Sequence, residues 1–187
     1  MRVGLLGGSF NPAHEGHAHV AETALTRLGL DRVIWLVSPQ NPLKSARHTA
    51  PLAERMAGAR RIAPGPRMIV SDFETRIDTT YTVDALQALK SRFPGVKFVW
   101  LMGADNLAGF HRWRDWLTIA RTVPLAVVAR PGSLAYARFA PAARRLSRHR
   151  LRAAQARGLA DTPAPAWVYL HAPLNAASST ALRERTS

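Results

Sequence analysis

Short apolar runs alternate along the chain with longer stretches whose apolar positions recur every three or four residues. The runs at 2–6, Val33–Val37, Met68–Ser71, Phe98–Met102, Leu125–Ala129 and Trp167–His171 read as strands. Between them the pattern predicts helices at about 16–28, 52–63, 83–92, 115–121 and 142–157. In the first helix Val20, Ala24, Leu25 and Leu28 recur at helical spacing, and Gly29 supplies a stop. The last, Ala142–Arg157, carries a stripe made mostly of Ala. Alternation of this sort predicts an α/β fold, a mostly parallel sheet with helices on both faces. Right-handed crossovers then place ligands at the carboxyl ends of the strands, near a topological switch point. Pro163-Ala164-Pro165 reads as a rigid connector rather than a domain linker, and no internal repeat interrupts the pattern.

A chain of 187 residues suits one domain spanning 1–187, and its 47% hydrophobic content is enough to build a core. The absence of cysteine excludes disulfide scaffolds, iron–sulfur clusters, thiol catalysis and cysteine-ligated zinc. No apolar run approaches the roughly 20 residues that a membrane helix requires. Met1–Leu6 lacks a signal peptide's long apolar stretch, so the expectation is a cytoplasmic protein without a membrane partner. The formal net charge of +14 favours anionic partners, because a positive field concentrates anions at the surface. Only Lys44, Lys90 and Lys97 among the 26 basic residues are Lys, so much of this charge reflects general Arg usage. The nine Arg between Trp116 and Ala160 read as a solvated face.

Chemistry is most concentrated where the first strand meets Gly7-Gly8-Ser9-Phe10-Asn11-Pro12-Ala13-His14-Glu15-Gly16-His17 and a helix opens. Glycines admit close approach of a ligand to the backbone, and the N–H groups of a helix start attract phosphate. The segment is neither the G-x-G-x-x-G dinucleotide fingerprint nor a Walker loop, since no Gly-Lys pair exists. His14 and His17, three apart at a helix start, can turn both imidazoles to one side and offer two donors to phosphoryl oxygens. The same spacing also suits ordinary surface or core histidines. Zinc fits less well: His14-Glu15-Gly16-His17 lacks the H-E-x-x-H spacing, and no Cys completes a site.

The strand followed by Gly-Gly-Ser-Phe-Asn-Pro-x-His-x-Gly-His resembles the signature of the H-x-G-H nucleotidyltransferase superfamily. About 160 residues later, Ser178-Ser179-Thr180-x-x-Arg183 resembles the phosphate-binding segment of the same superfamily. Between them, Pro39–Lys44, Thr80-Tyr81-Thr82, Gly103–Leu107, Phe110-x-x-Trp113-x-x-Trp116 and Ala129-Arg130-Pro131-Gly132 are similar to bacterial nicotinate-nucleotide adenylyltransferases. The resemblance spans about residues 1–185. Ser9, Asn11, Leu43 and Ala177 depart from it, standing where relatives commonly have Thr, Asp, His and Ile.

The resemblance implies a Rossmann-like doubly wound sheet of strand order 3-2-1-4-5. It also implies transfer of AMP from ATP to nicotinate mononucleotide, with magnesium carried by the triphosphate and no protein ligand to it assigned. His14, His17 and Lys44 would be catalytic. Gly7, Gly8, Ser9, Phe10, His14, His17, Gly103, Asp105, Arg130, Ser178, Ser179 and Arg183 would bind ATP. Lys44, Thr80, Tyr81, Thr82 and Trp113 would bind the nicotinate nucleotide, with Trp113 stacked on its pyridine ring. On the residues alone, Trp113 and Trp116 equally suit a helix that packs both rings in the core; with the resemblance, only Trp116 does. Thr80–Thr82 could likewise be a helix cap, and Asp105 a helix-start residue. A nucleic-acid-binding reading rests on charge alone, since neither aromatic stacking platforms nor a known module is present. The sequence sets no oligomeric state.

Overall fold

The computed structural model describes residues 1–39, 49–129 and 139–171. Its centre is a seven-stranded sheet in which every pairing is parallel. The strands are β1 (Arg2–Gly8), β2 (Arg32–Val37), β3 (Met68–Ser71), β4 (Lys97–Gly103), β5 (Leu125–Val128), β6 (Arg150–Leu151) and β7 (Trp167–Leu170). They lie in the order β3-β2-β1-β4-β5-β7-β6. The expected 3-2-1-4-5 order is present, extended at one edge by β7 and β6.

The helices are α1 (Glu15–Arg27), α2 (Leu52–Ile62), α3 (Phe73–Arg76), α4 (Thr82–Arg92), α5 (Ala104–Gly109), α6 (Trp116–Thr122) and α7 (Pro141–Arg145). Successive side chains of a strand point to opposite faces, so each central strand feeds two cores. Leu5, Trp100 and Met102 join Val83, Leu86, Leu107 and Ile119 on the face covered by α4, α5 and α6. Leu6, Trp35 and Leu101 join Val20, Ala24, Met56 and Leu159 on the face covered by α1, α2 and a 3-10 segment at Ala153–Asp161. Gly29 adopts φ +61 just beyond α1, as its reading as a stop requires.

The helix expected at 142–157 does not form. The chain instead runs through α7, a 3-10 turn at Ser147–His149, β6 and the 3-10 segment. At about 100° per residue, Leu151 would stand about 140° around a helix from Leu146. Leu146 packs in the core on one face of the sheet and Leu151 against the core on the other, which one continuous helix could not serve, and its Ala stripe offers little area to hold it down. Bending sets each Leu against the core and pairs Arg150 with Trp167, whose ring lies 5.1 Å beneath the Arg150 guanidinium. The short α3 and α5 lack enough periodicity to be read from the sequence.

Trp167 ties this irregular stretch to the sheet. Its buried indole Nε1–H donates to the Leu146 carbonyl at 2.8 Å, which also accepts from the His149 N–H at 3.0 Å. Trp167→Phe keeps most of the ring and deletes the donor. We expect it to lower unfolding free energy by about 1 kcal/mol, the net worth of one hydrogen bond, because the Leu146 carbonyl keeps its bond from the His149 N–H. Urea unfolding monitored by circular dichroism measures it; an unchanged midpoint would refute the role.

Candidate functional site

Strand order reverses between β1 and β4, which makes their carboxyl ends the switch point. Leu6 pairs with Leu101, and each strand ends two residues further on, at Gly8 and Gly103, so both exits stand level. Gly7 has a steric reason to be glycine. A Cβ there would overlap Cη2 of Trp100 and come within 2.8 Å of its Cζ2. The bare backbone is thus demanded by the core indole. At Gly8 a Cβ would meet only the Phe10 ring at 3.4–3.6 Å, an ordinary contact. Phe10 itself adopts φ +46, a strained region for a side-chain-bearing residue. Its buried ring, stacked on Trp35 at 5.2 Å and edge-on to His17 at 4.8 Å, holds it there.

His14 is the N-cap of α1. Its Nδ1 accepts from the Gly16 N–H at 3.0 Å, and Nδ1 of His17 accepts from the His14 N–H at 3.2 Å. The two imidazoles form a reciprocal capping box, 3.8 Å apart between centroids. A nitrogen that accepts carries no proton, so each neutral ring holds its proton on Nε2. In both rings the backbone engages Nδ1 and the proton of the neutral form lies on Nε2.

Across the switch point, Gly103 caps α5 and Asp105 is exposed in its first turn. Tyr81, within Thr80–Thr82, is the N-cap of α4, without a side-chain hydrogen bond to the helix start. Just before it the Thr79 hydroxyl accepts from the Tyr81 N–H at 3.2 Å and donates to Asp84 Oδ2 at 2.9 Å. Arg114 lies 4.3 Å over the Tyr81 ring and so brings the Thr80–Thr82 segment beside Trp113. Trp113 is partly buried, with Trp100 and Phe110 edge-on to it at 6.1 and 5.3 Å. Trp116 is also only partly buried and packs on the same Phe110. The two tryptophans thus differ less than the expected division into substrate ring and core ring, because both rest on one aromatic anchor.

Two buried charged residues went unread in the sequence. Arg55, 3% exposed, occupies the apolar stripe of α2 alongside Leu52, Met56 and Ala59, and a charge at that spacing was the available signal. Glu74, 2% exposed, lies on α3, where no periodicity marks it. Burial raises its carboxyl to about 7, opposed by a hydrogen bond from Ser38, and Oε2 has no partner among the described residues.

Lys44, Arg130, Ser178, Ser179 and Arg183 lie outside the described residues. Among the described residues no three His, Cys, Asp or Glu cluster as metal ligands, and no helix is long and apolar enough to cross a membrane. Asp105 is an exposed carboxylate at this edge, a donor suited to a divalent ion held mostly by phosphate oxygens and water.

A sequence profile of the cytidylyltransferase-like family matches residues 5–185. A Caulobacter sp. (strain K31) protein named "Probable nicotinate-nucleotide adenylyltransferase" is 67% identical over 185 residues, covering 99% of this chain and 98% of the relative. A Rhizobium meliloti (strain 1021) protein of the same name is 52% identical over 187 residues, covering 100% of both. Plasmodium falciparum nicotinic acid mononucleotide adenylyltransferase complexed with NaAD superposes with TM-score 0.72 at 15% identity, covering 98% of this chain and 82% of that one. The same enzyme complexed with APC gives TM-score 0.70 at 14% identity, with the same coverage. At such identity the likeness establishes the fold.

Glu74 makes stability depend on pH. Its carboxyl titrates at about 7 when folded against 4.5 ordinarily, so the folded state holds the proton more tightly. The stability it contributes is complete below 4.5 and is lost as pH rises through about 7. Glu74→Gln stays neutral. Its stability relative to the parent should rise across that window and level off above it, by up to about 3 kcal/mol. Denaturant unfolding at both ends of the window measures this, and a pH-independent difference contradicts it.

Proposed function

Because the chain belongs to the nicotinate-nucleotide adenylyltransferase family, within the cytidylyltransferase-like nucleotidyltransferases, we propose that it transfers AMP from ATP to nicotinate mononucleotide. The products are nicotinic acid adenine dinucleotide and pyrophosphate, and the step belongs to NAD biosynthesis. In this reading residues 1–187 form one cytoplasmic nucleotidyltransferase domain. The observation that carries it is the paired imidazole cap at the start of α1, directly after β1 at the switch point.

A phosphate oxygen of nicotinate mononucleotide attacks the α-phosphorus of ATP. The new P–O bond forms as the bond to the bridging oxygen of pyrophosphate breaks. With a second pKa of about 6, the attacking phosphate is mostly dianionic at neutral pH, so no general base is required. Catalysis then consists of holding two anions in line and meeting the charge that develops on the phosphoryl oxygens. Nε2–H donors of His14 and His17 serve that purpose, with the backbone at Gly7, Gly8 and Ser9. Phe10 holds the turn. Gly103 and Asp105 line the nucleotide site, and Asp105 suits ribose hydroxyls. Thr80, Tyr81 and Thr82 with Trp113 receive the pyridine nucleotide, whose ring stacks on Trp113. Lys44, Arg130, Ser178, Ser179 and Arg183 complete the phosphate contacts. Magnesium carried by the triphosphate would neutralise charge on its oxygens, with no residue of this chain assigned as its ligand.

His14→Asn separates capping from chemistry. Asn is as good an N-cap as any residue, so thermal stability should stay close to the parent. Loss of the imidazole donor should lower kcat by about 10²–10³-fold in a pyrophosphate-release assay. Near-normal turnover would remove His14 from the mechanism.

Substrate choice is the second test. Nicotinate carries a carboxylate where nicotinamide carries an amide, and backbone N–H groups that donate to the former meet a competing NH₂ donor in the latter. One unmet polar contact of that kind costs about 1–3 kcal/mol, so kcat/KM should favour the acid nucleotide by roughly ten- to hundredfold. Equal values would leave adenylyl transfer standing and overturn the choice of acid. Salt-dependent nucleic-acid binding with no turnover on either nucleotide would replace the enzyme reading altogether.

A further inference from the structure

The buried guanidinium of Arg55 is held entirely by backbone carbonyls. Nε donates to Ala50 O at 2.8 Å, one terminal nitrogen to Ser9 O at 2.8 Å and Ser38 O at 2.7 Å, and the other to Pro39 O at 2.8 Å. Among the described residues no carboxylate pairs with it, and burial pushes its pKa down from the usual arginine value. The four acceptors come from three places: the turn leaving β1, the exit of β2, and the residue that precedes Pro51 at the start of α2. Further bonds close the same junction. Ser38 N–H donates to Gly8 O at 3.0 Å, and Ala50 N–H donates to Asn11 Oδ1 at 3.2 Å.

A cation without a counter-ion is a costly way to fill space, and a Met or Leu of similar volume would pack α2 without desolvating a charge. What an apolar residue cannot do is hold several carbonyls at fixed mutual distances. The planar guanidinium fork does so, because its N–H directions are rigid. The segment it grips, Gly8–Asn11, leads directly into the imidazole pair, through the strained Phe10 turn. A turn that must hold a disfavoured φ needs to be over-determined by its surroundings.

We propose that Arg55 is a positioning residue for the transferase reaction, locking the Gly8–Asn11 turn to the exits of β2 and the start of α2 so that the backbone and imidazole donors stay aimed at the reacting phosphate. The proposal rests on the adenylyl-transfer reading above. Arg55 touches no substrate in it; the effect runs through Ser9 and the turn. Donors aimed at charge that develops only in the transition state act on kcat, so misplacing them spares substrate binding more than turnover.

The test compares the full-length chain with Arg55→Lys and Arg55→Ala, using pyrophosphate release with ATP and nicotinate mononucleotide. Turnover is normalised to folded protein, well below each melting temperature. Lys keeps the charge but lacks the fork. Arg55→Lys should lose about 10²-fold in kcat, the effect of a misplacement of about 1 Å, while both KM values change only a few-fold. Arg55→Ala leaves a cavity lined by the same carbonyls. Guanidinium ion at non-denaturing millimolar concentration should raise its kcat by about tenfold or more, while urea at equal concentration should not. If Arg55→Ala does not fold, the kinetics of Arg55→Lys decide alone. A kcat per folded molecule close to the parent in Arg55→Lys, or a loss confined to KM, overturns the proposal. Failure of guanidinium to restore turnover in folded Arg55→Ala also overturns it. The parent's own turnover judges the reaction, whereas the ratio of variant to parent judges Arg55.

Discussion

The site depends on one contact: the Trp100 indole packed beneath the bare backbone of Gly7 where β1 and β4 run side by side. A parallel sheet can reverse its strand order only if two neighbouring strands send their connections to opposite faces. Here those strands are β1, which leads to α1, and β4, which leads to α5. Trp100 fills the core on the α4–α6 face and presses on Gly7 from below, while its edge also meets Trp113 at 6.1 Å. The glycine turn after β1 and the aromatic wall across the sheet therefore share a support. Movement of that indole would be felt by both.

Polar groups at this edge serve structure and function with different atoms. His14 and His17 give Nδ1 to the helix start, which fixes the tautomer of each neutral ring with its proton on Nε2. Arg55 gives all four of its hydrogen bonds to carbonyls, so these bonds serve the backbone. Glu74 shares Ser38 with Arg55: the serine's carbonyl accepts from the arginine, and its hydroxyl donates to the carboxyl. Two buried ionisable groups of opposite sign thus meet the same residue from two helices. The edge is held by hydrogen bonds more than by ion pairs. The ion pairs that Arg2 and Lys97 make with Asp161 lie at the amino ends of β1 and β4, away from the site.

Much of the architecture could be read directly, because strands covered on both faces and helices with one buried stripe leave different periodicities. Leu5, Leu6, Val99, Trp100 and Leu101 announce central strands, and Val20, Ala24 and Leu25 announce a packed helix. Reading failed between 142 and 157. Helical propensity there was local, whereas burying Leu146, Leu151 and Leu159 is a demand made by the distant β7. The glycine-rich turn and the H-x-G-H pair were legible as the start of a helix after the first strand. The steric reason for Gly7 was not, because Trp100 lies more than ninety residues away in the chain.

The sequence by itself determined the class of fold, the order of its central elements and the residues that would be offered to phosphate, since these follow from short-range pattern and side-chain chemistry. Tertiary structure alone decided which atom of each imidazole serves the backbone. It also made an arginine on an apolar stripe into a clamp across three segments, and raised a carboxyl on a four-residue helix to about 7. Those properties come from desolvation and from carbonyl and N–H groups that only the folded chain brings within hydrogen-bonding distance. A linear pattern records which groups exist. Which of them meet is set by the packing of the sheet.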